Sequence, residues 1–170
     1  AGEDWVALSV SGADGACWNG GTASGLVLAA LDGARARLNL DPKRVVLGGY
    51  SSGGDVGYPL LLRNSKRFAL GIFQNTAPWG SENGETAALL DAAAPPTGWR
   101  VPIRHQCHVA DGIQAYTCAS LAANAEGPIV AAGHDWVLDQ RPGTHWDDPG
   151  TWDDFDAFFR PQLLLDWQTP

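Results

Sequence analysis

A chain of 170 residues that is 45% hydrophobic has the size of one domain with a real core, and is too short for two ordinary ones. Its net charge of -8 leaves no basic stripe for a phosphate backbone, so nucleic acid is not an expected partner. No apolar run reaches the roughly 18 residues that cross a bilayer, and no basic start followed by an apolar run marks a signal peptide, so no membrane partner is expected either.

In chain order, residues 5–10 (Trp5-Val6-Ala7-Leu8-Ser9-Val10) form an apolar, β-branched run ended by turn chemistry at residues 11–15, which predicts a buried strand. Leucine and alanine at helical spacing predict a helix over 22–40, closed by Pro42. A second buried strand is predicted over 44–49, then a helix over 53–63 interrupted at Pro59, and a third strand over 68–73. Residues 80–98 are rich in Gly, Ala and Pro and read as a surface excursion with a short helix near 85–93. A fourth strand over 101–109, a helix over 113–125, a fifth strand over 135–140 and a last helix over 151–167 complete the pattern; Asp153, Asp154 and Asp156 suit the positive end of that helix. Strands alternating with helices predict one α/β domain, a mostly parallel sheet with helices on both faces.

The chain has no methionine and opens almost directly into an apolar run, which predicts a processed or cut polypeptide. Three cysteines beside eight tryptophans suit an exported chain with one disulfide. Cys107 and Cys118, flanking one short loop and helix, are the expected pair, with Cys17 left over; the alternative is three reduced, packed thiols.

Chemistry concentrates at Gly49-Tyr50-Ser51-Ser52-Gly53. Gly-x-Ser-x-Gly alone is a weak signal, but here it joins a buried strand to a helix, the setting in which glycines let a serine take a strained, exposed turn. Ser51 is therefore the candidate nucleophile, and the Ser52 N–H at the helix start a candidate oxyanion donor. A serine hydroxyl needs a histidine base, and the histidine needs a carboxylate. In the order serine, acid, histidine, Asp111 follows the next-to-last strand and His145 the last. His134 is the rival base, because residues 129–133 can be read as the final strand. His105, Cys107, His108 and Asp111 are all metal-ligand types in a short window, yet strand alternation turns His108 away from His105 and Cys107, so no metal site is expected.

Asp41-Pro42-Lys43-Arg44-Val45 leading into the Ser51 motif, Ala131-Ala132-Gly133-His134-Asp135, and Pro142-Gly143-Thr144-His145-Trp146 resemble secreted polyhydroxybutyrate depolymerases and feruloyl-esterase-like enzymes of the α/β-hydrolase superfamily. The resemblance covers nearly the whole chain from Trp5. It implies Ser51 as nucleophile, Asp111 as acid, His145 as base, an ester substrate (polymeric ones included), no cofactor, and a secreted or periplasmic location.

A single helix separates the first predicted strand from the Ser51 strand, so strands one to three of the fold are expected to be absent from this chain. Either the first predicted strand has moved into the gap, or another polypeptide fills it, the expected one being a cleaved N-terminal fragment of the same protein. Trp18, Trp79 and Trp146 each follow a strand at the ligand-binding end of the sheet, and Tyr50 abuts Ser51, so these four are the candidate substrate-binding aromatics. Two competitors share these residues: an inactive hydrolase-like module that binds a polymer or carbohydrate surface, and an acyltransferase.

Overall fold

Short β-branched and apolar runs form the strands, because such side chains pack well on both faces of a covered sheet. The computed structural model describes residues 6–11, 17–18, 23–78, 100–147, 157–158 and 160–161. The described elements run α1 (Ala23–Arg35), β1 (Val46–Tyr50), α2 (Ser52–Arg63), a 3-10 turn (Ser65–Arg67), β2 (Leu70–Gln74), β3 (Pro102–His108), a 3-10 turn (Gln114–Tyr116), α3 (Cys118–Asn124), α4 (Glu126–Ala131) and β4 (Asp135–Arg141). All three strand pairings are parallel and the order is β1-β2-β3-β4, with Val46 against Leu70, Gly71 against Ile103 and Pro102 against Asp135.

Strand alternation gives the sheet two faces. Leu47, Phe73, Ile103, Cys107 and Trp136 point to one, where they pack with Tyr58 and Leu61 of α2, Leu121 of α3 and Ile129 of α4. On the other, Leu70 and Ile72 pack with Val46 and with Phe158, which lies in a helical turn. Arg104, also over Phe158, pairs with Asp139 there. Among the described residues, α1 to α4 cover the first face and the helical turn at Phe158 packs on the second, in keeping with the predicted α/β sheet.

Three elements differ from the sequence reading. Residues 6–10 form no strand: no ladder partner holds them, and Val6 and Leu8 are about half exposed. Pro59 does not interrupt α2, whose residues 56–62 are all buried; packing around that whole stretch outweighs the single backbone bond that proline removes. The helix predicted over 113–125 is divided. Thr117 ends the 3-10 turn and caps α3 by accepting from Ser120 N, and Pro128 withholds the N–H that would carry α3 into α4. Residues 129–131 are helical rather than a final strand, and α4 stops at Gly133, whose φ of 91° suits glycine. The excursion at 80–98, most of the last helix and Trp79 lie outside the described residues.

Cys107 and Cys118 form a disulfide, with Cα atoms 5.3 Å apart, and Cys17 is a free, exposed thiol. Among the described residues no helix is long and apolar enough to cross a membrane.

Candidate active site

A parallel sheet brings the C-terminal ends of its strands to one edge, and here hydrogen bonding continues past the strands to fix the loops. Ser51 N donates to Gln74 O (3.0 Å), Asn75 N to Gln106 O (3.0 Å), Val109 N to Arg141 O (2.9 Å) and Ala110 N to Gly143 O (2.9 Å). Four loops, carrying Ser51, Asn75, Asp111 and His145, are thereby held side by side.

Ser51 sits between β1 and α2 with φ 50° and ψ -127°, a backbone conformation that non-glycine residues rarely adopt. Close packing makes the turn possible. A Cβ on Gly49 would come within 2.7 Å of the Gly53 carbonyl oxygen and the Gly54 Cα, and one on Gly54 would meet Thr76 at 2.4 Å. Gly53 is under no such constraint, since a Cβ there would lie 3.7 Å from the Trp18 ring. The glycines the turn requires are thus Gly49 and Gly54, the second lying outside the five-residue motif. Ser52 begins α2, so its N–H has no role in the helical ladder; its hydroxyl accepts from Trp18 N at 3.1 Å.

His145 Nε2 is 3.0 Å from Ser51 Oγ, and His145 Nδ1 is 2.8 Å from Asp111 Oδ2. Asp111 and His145 are both buried. With a carboxylate on Nδ1, the neutral ring carries its proton there and presents Nε2 as an acceptor to the serine hydroxyl. The other Asp111 oxygen accepts from Ile113 N at 2.8 Å. The His145 loop is pinned by Asp147, which accepts from Thr144 N and Thr144 Oγ1; these two bonds hold the Asp147 carboxyl below its usual range.

Three aromatics surround the His145 ring. Tyr116 stacks on it with centroids 5.7 Å apart, Tyr50 lies at 5.3 Å and Trp146 meets it edge-on at 4.9 Å. Tyr116 donates to Asp55 Oδ2 at 2.6 Å, and Asp55 accepts from Thr76 Oγ1 at 2.5 Å. Burial, and then the bond to Asp55, pushes the Tyr116 phenol upward, so it stays a donor. Tyr50 donates to the His145 carbonyl at 2.5 Å, and burial raises its pKa too. Neither Tyr116 nor Asp55 was singled out by sequence; their only signal is placement just beyond a strand or turn on the same edge.

A cleft of about 490 Å³ opens beside Ser51, lined by Leu8, Val10, Cys17, Trp18, Tyr50 and Trp146 among others. Trp146 is 83% exposed at its rim. Three of the four predicted aromatics therefore border Ser51.

His134 is at the opposite edge of the sheet, before β4, where its Nδ1 accepts from Val101 N at 3.3 Å and burial lowers its pKa. It cannot reach Ser51. The residues of the metal-like window have separate partners: His105 Nδ1 pairs with Tyr58 OH at 2.5 Å, Cys107 is in the disulfide, and His108 Nδ1 is 3.0 Å from Asn75 Oδ1.

No protein-family model and no curated protein matches the chain. Solved structures do. SOBER1 of Arabidopsis thaliana matches with a TM-score of 0.64 at 18% identity, over 83% of this chain and 63% of that one. S-formylglutathione hydrolase (FrmB) from Staphylococcus aureus gives 0.59 at 17% identity, over 84% of this chain and 63% of that one. An acylaminoacyl peptidase from Pyrococcus horikoshii gives 0.58 at 16% identity, over 82% of this chain and 27% of that one. The chain spans less than two thirds of the length of each. At these identities the likeness establishes the fold, and the fold is that of the α/β-hydrolases.

Proposed function

We propose that this chain carries the catalytic centre of a serine hydrolase that cleaves carboxylic esters. The observation that carries the proposal is the unbroken line from Ser51 Oγ to His145 Nε2 (3.0 Å) and from His145 Nδ1 to Asp111 (2.8 Å), at the strained end of a strand. Proteins named as a hydrolase and a peptidase share its fold, which agrees with acyl transfer to water.

In this reading Ser51 Oγ attacks the ester carbonyl while its proton passes to His145 Nε2. Asp111 holds the ring in the productive tautomer and stabilises the imidazolium. The oxyanion accepts from the Ser52 N–H at the positive end of α2, together with a second donor. The alcohol leaves with the proton from His145, and an acyl group remains on Ser51. Water, deprotonated by the same histidine, then releases the acid. No step calls on a cofactor.

Trp18, Tyr50 and Trp146, with Leu8 and Val10, make the cleft walls largely apolar, which suits an aromatic acid, a short acyl chain or a polyester. The Cys107–Cys118 disulfide agrees with a secreted or periplasmic location.

The test is a burst assay with a short-chain p-nitrophenyl ester, followed by mass spectrometry of peptides after an organophosphonate trap. A burst with an adduct on Ser51, both abolished in Ser51→Ala, is the expected result. An adduct on another residue overturns the assignment, and no burst with no adduct favours a surface-binding module.

A further inference from the structure

Asn75 is fully buried at the end of β2, in the left-handed region with φ 45°, and is not part of the Ser51–His145–Asp111 line. Its Nδ2 donates to the His145 carbonyl oxygen at 2.8 Å, and its Oδ1 is 3.0 Å from His108 Nδ1. A carbonyl only accepts, so the amide nitrogen must face His145 and the amide oxygen must face His108. His108 Nδ1 therefore donates, which fixes the His108 tautomer. Tyr50 OH, 2.5 Å from the same His145 carbonyl, is the second clamp. A Cβ on Gly143 would lie 3.1 Å from His108 Cδ2, so the His108 ring also packs under the loop that leads to His145.

We infer that Asn75, oriented by His108, is a positioning residue that sets the backbone height of His145 and hence the Nε2 to Ser51 distance. The inference rests on His145 being the base of the proposed reaction. Two features separate this from ordinary loop packing. The bond goes to the main chain of His145 itself, and the residue supplying it holds a backbone conformation that asparagine tolerates far better than most residues. A base displaced by even about 1 Å loses much of its rate, on the order of 100-fold, while the substrate cleft is left as it was.

Three variants test it, each read by steady-state kinetics with a p-nitrophenyl ester, by the rate of organophosphonate labelling of Ser51, and by thermal unfolding. Asn75→Gly keeps the left-handed backbone at no steric cost and removes the amide. It is expected to lower kcat on the order of 100-fold with KM nearly unchanged, and to slow labelling in parallel. His108→Leu removes the donor that orients the amide, whereas His108→Asn places an N–H where Nδ1 lies; H108L is expected to lose about tenfold in kcat and H108N to regain most of it. Should Asn75→Gly fail to fold, the His108 pair decides alone.

A folded Asn75→Gly protein with wild-type kcat, or equal kcat in H108L and H108N, overturns the inference while leaving Ser51 as the nucleophile. Wild-type protein that neither turns over ester nor labels on Ser51 overturns the underlying reading, and this inference with it.

Discussion

The Ser51 turn and the His145 loop meet at 3.0 Å but are built by different physics. The turn is set by exclusion: Gly49 and Gly54 approach the backbone of Gly53 and Gly54 and the Thr76 side chain so closely that a methyl group fits at neither position. The loop is set by attraction, through Asp111 on the ring, Asn75 and Tyr50 on the carbonyl, and Asp147 on Thr144. Exclusion is written largely in the turn's own glycines, with Thr76 the one distant contributor. Apart from the local bond of Asp147 to Thr144, attraction draws on partners 34 to 95 positions from His145.

The largest effect should come from the attractive side. Asp111→Asn leaves the shape of the loop but turns a carboxylate that fixes the Nδ1 tautomer into an amide able to donate to that nitrogen. If His145 is the base, kcat should fall on the order of 10⁴-fold with little change in melting temperature. Ester kinetics beside thermal unfolding check this, and a fall in both together would mean that Asp111 serves the loop rather than the base.

The exclusion side should respond in the opposite currency, stability before chemistry. Gly49→Ala forces a methyl group against backbone atoms at 2.7 Å, which cannot give way as a side chain can, and should cost roughly 3 kcal/mol or more. Gly53→Ala, although in the same motif, faces only the Trp18 ring at 3.7 Å and gains helix propensity, so its unfolding free energy should stay within about 1 kcal/mol of wild type. Denaturant unfolding of the two variants measures the difference directly; equal losses would mean that the turn is set by hydrogen bonds after all.

This contrast also explains what was legible in the sequence. Ser51 could be found because a buried strand, adjacent glycines and a helix lie within a few residues of it. Asp111 and His145 could be found by chain order, because a parallel sheet returns each strand exit to the same edge. Asn75, Tyr116 and Asp55 could not, since each acts through a partner at least 21 positions away and nothing local distinguishes a buried asparagine from a turn residue. The Val6–Val10 run misled for the reciprocal reason: its composition suits a strand, but a strand exists only where a neighbour completes its ladder, and no ladder forms there. The helix predicted over 113–125 failed at Thr117, where a cap outweighed periodicity.

The disulfide joins the two modes of construction. Cys107 and Cys118 bracket the segment that holds His108, Asp111 and Tyr116, so one covalent link constrains the supports of His145 together. Closing a loop of this length should stabilise the fold by about 2–3 kcal/mol, chiefly by restricting the unfolded chain. Reduction, or Cys118→Ser, should therefore lower the free energy of unfolding by that amount. If the bond also holds the Asp111 loop in register, kcat should drop in the reduced protein at temperatures where it remains folded.

The smallest effect is a pH dependence, and it arises beneath the site. His105 is buried between Tyr58 and Trp136, and burial lowers its pKa from the ordinary 6.5 to about 3, opposed in part by a backbone bond at Thr76. Between those two values the unfolded chain binds a proton that the folded chain refuses. Protons bound by the unfolded state exceed those bound by the native state, so stability is complete above pH 6.5 and declines as pH falls toward 3. Burial lowers the His134 pKa as well and adds in the same direction. Urea unfolding at pH 7 and pH 5 should differ on the order of 1–2 kcal/mol, with the protein less stable at pH 5. His105→Phe should flatten that part of the profile, although it leaves the Tyr58 hydroxyl without its partner at 2.5 Å and so lowers stability at every pH. An unchanged slope in this variant would assign the acid sensitivity to His134 and to Asp147, whose carboxyl the Thr144 bonds hold low.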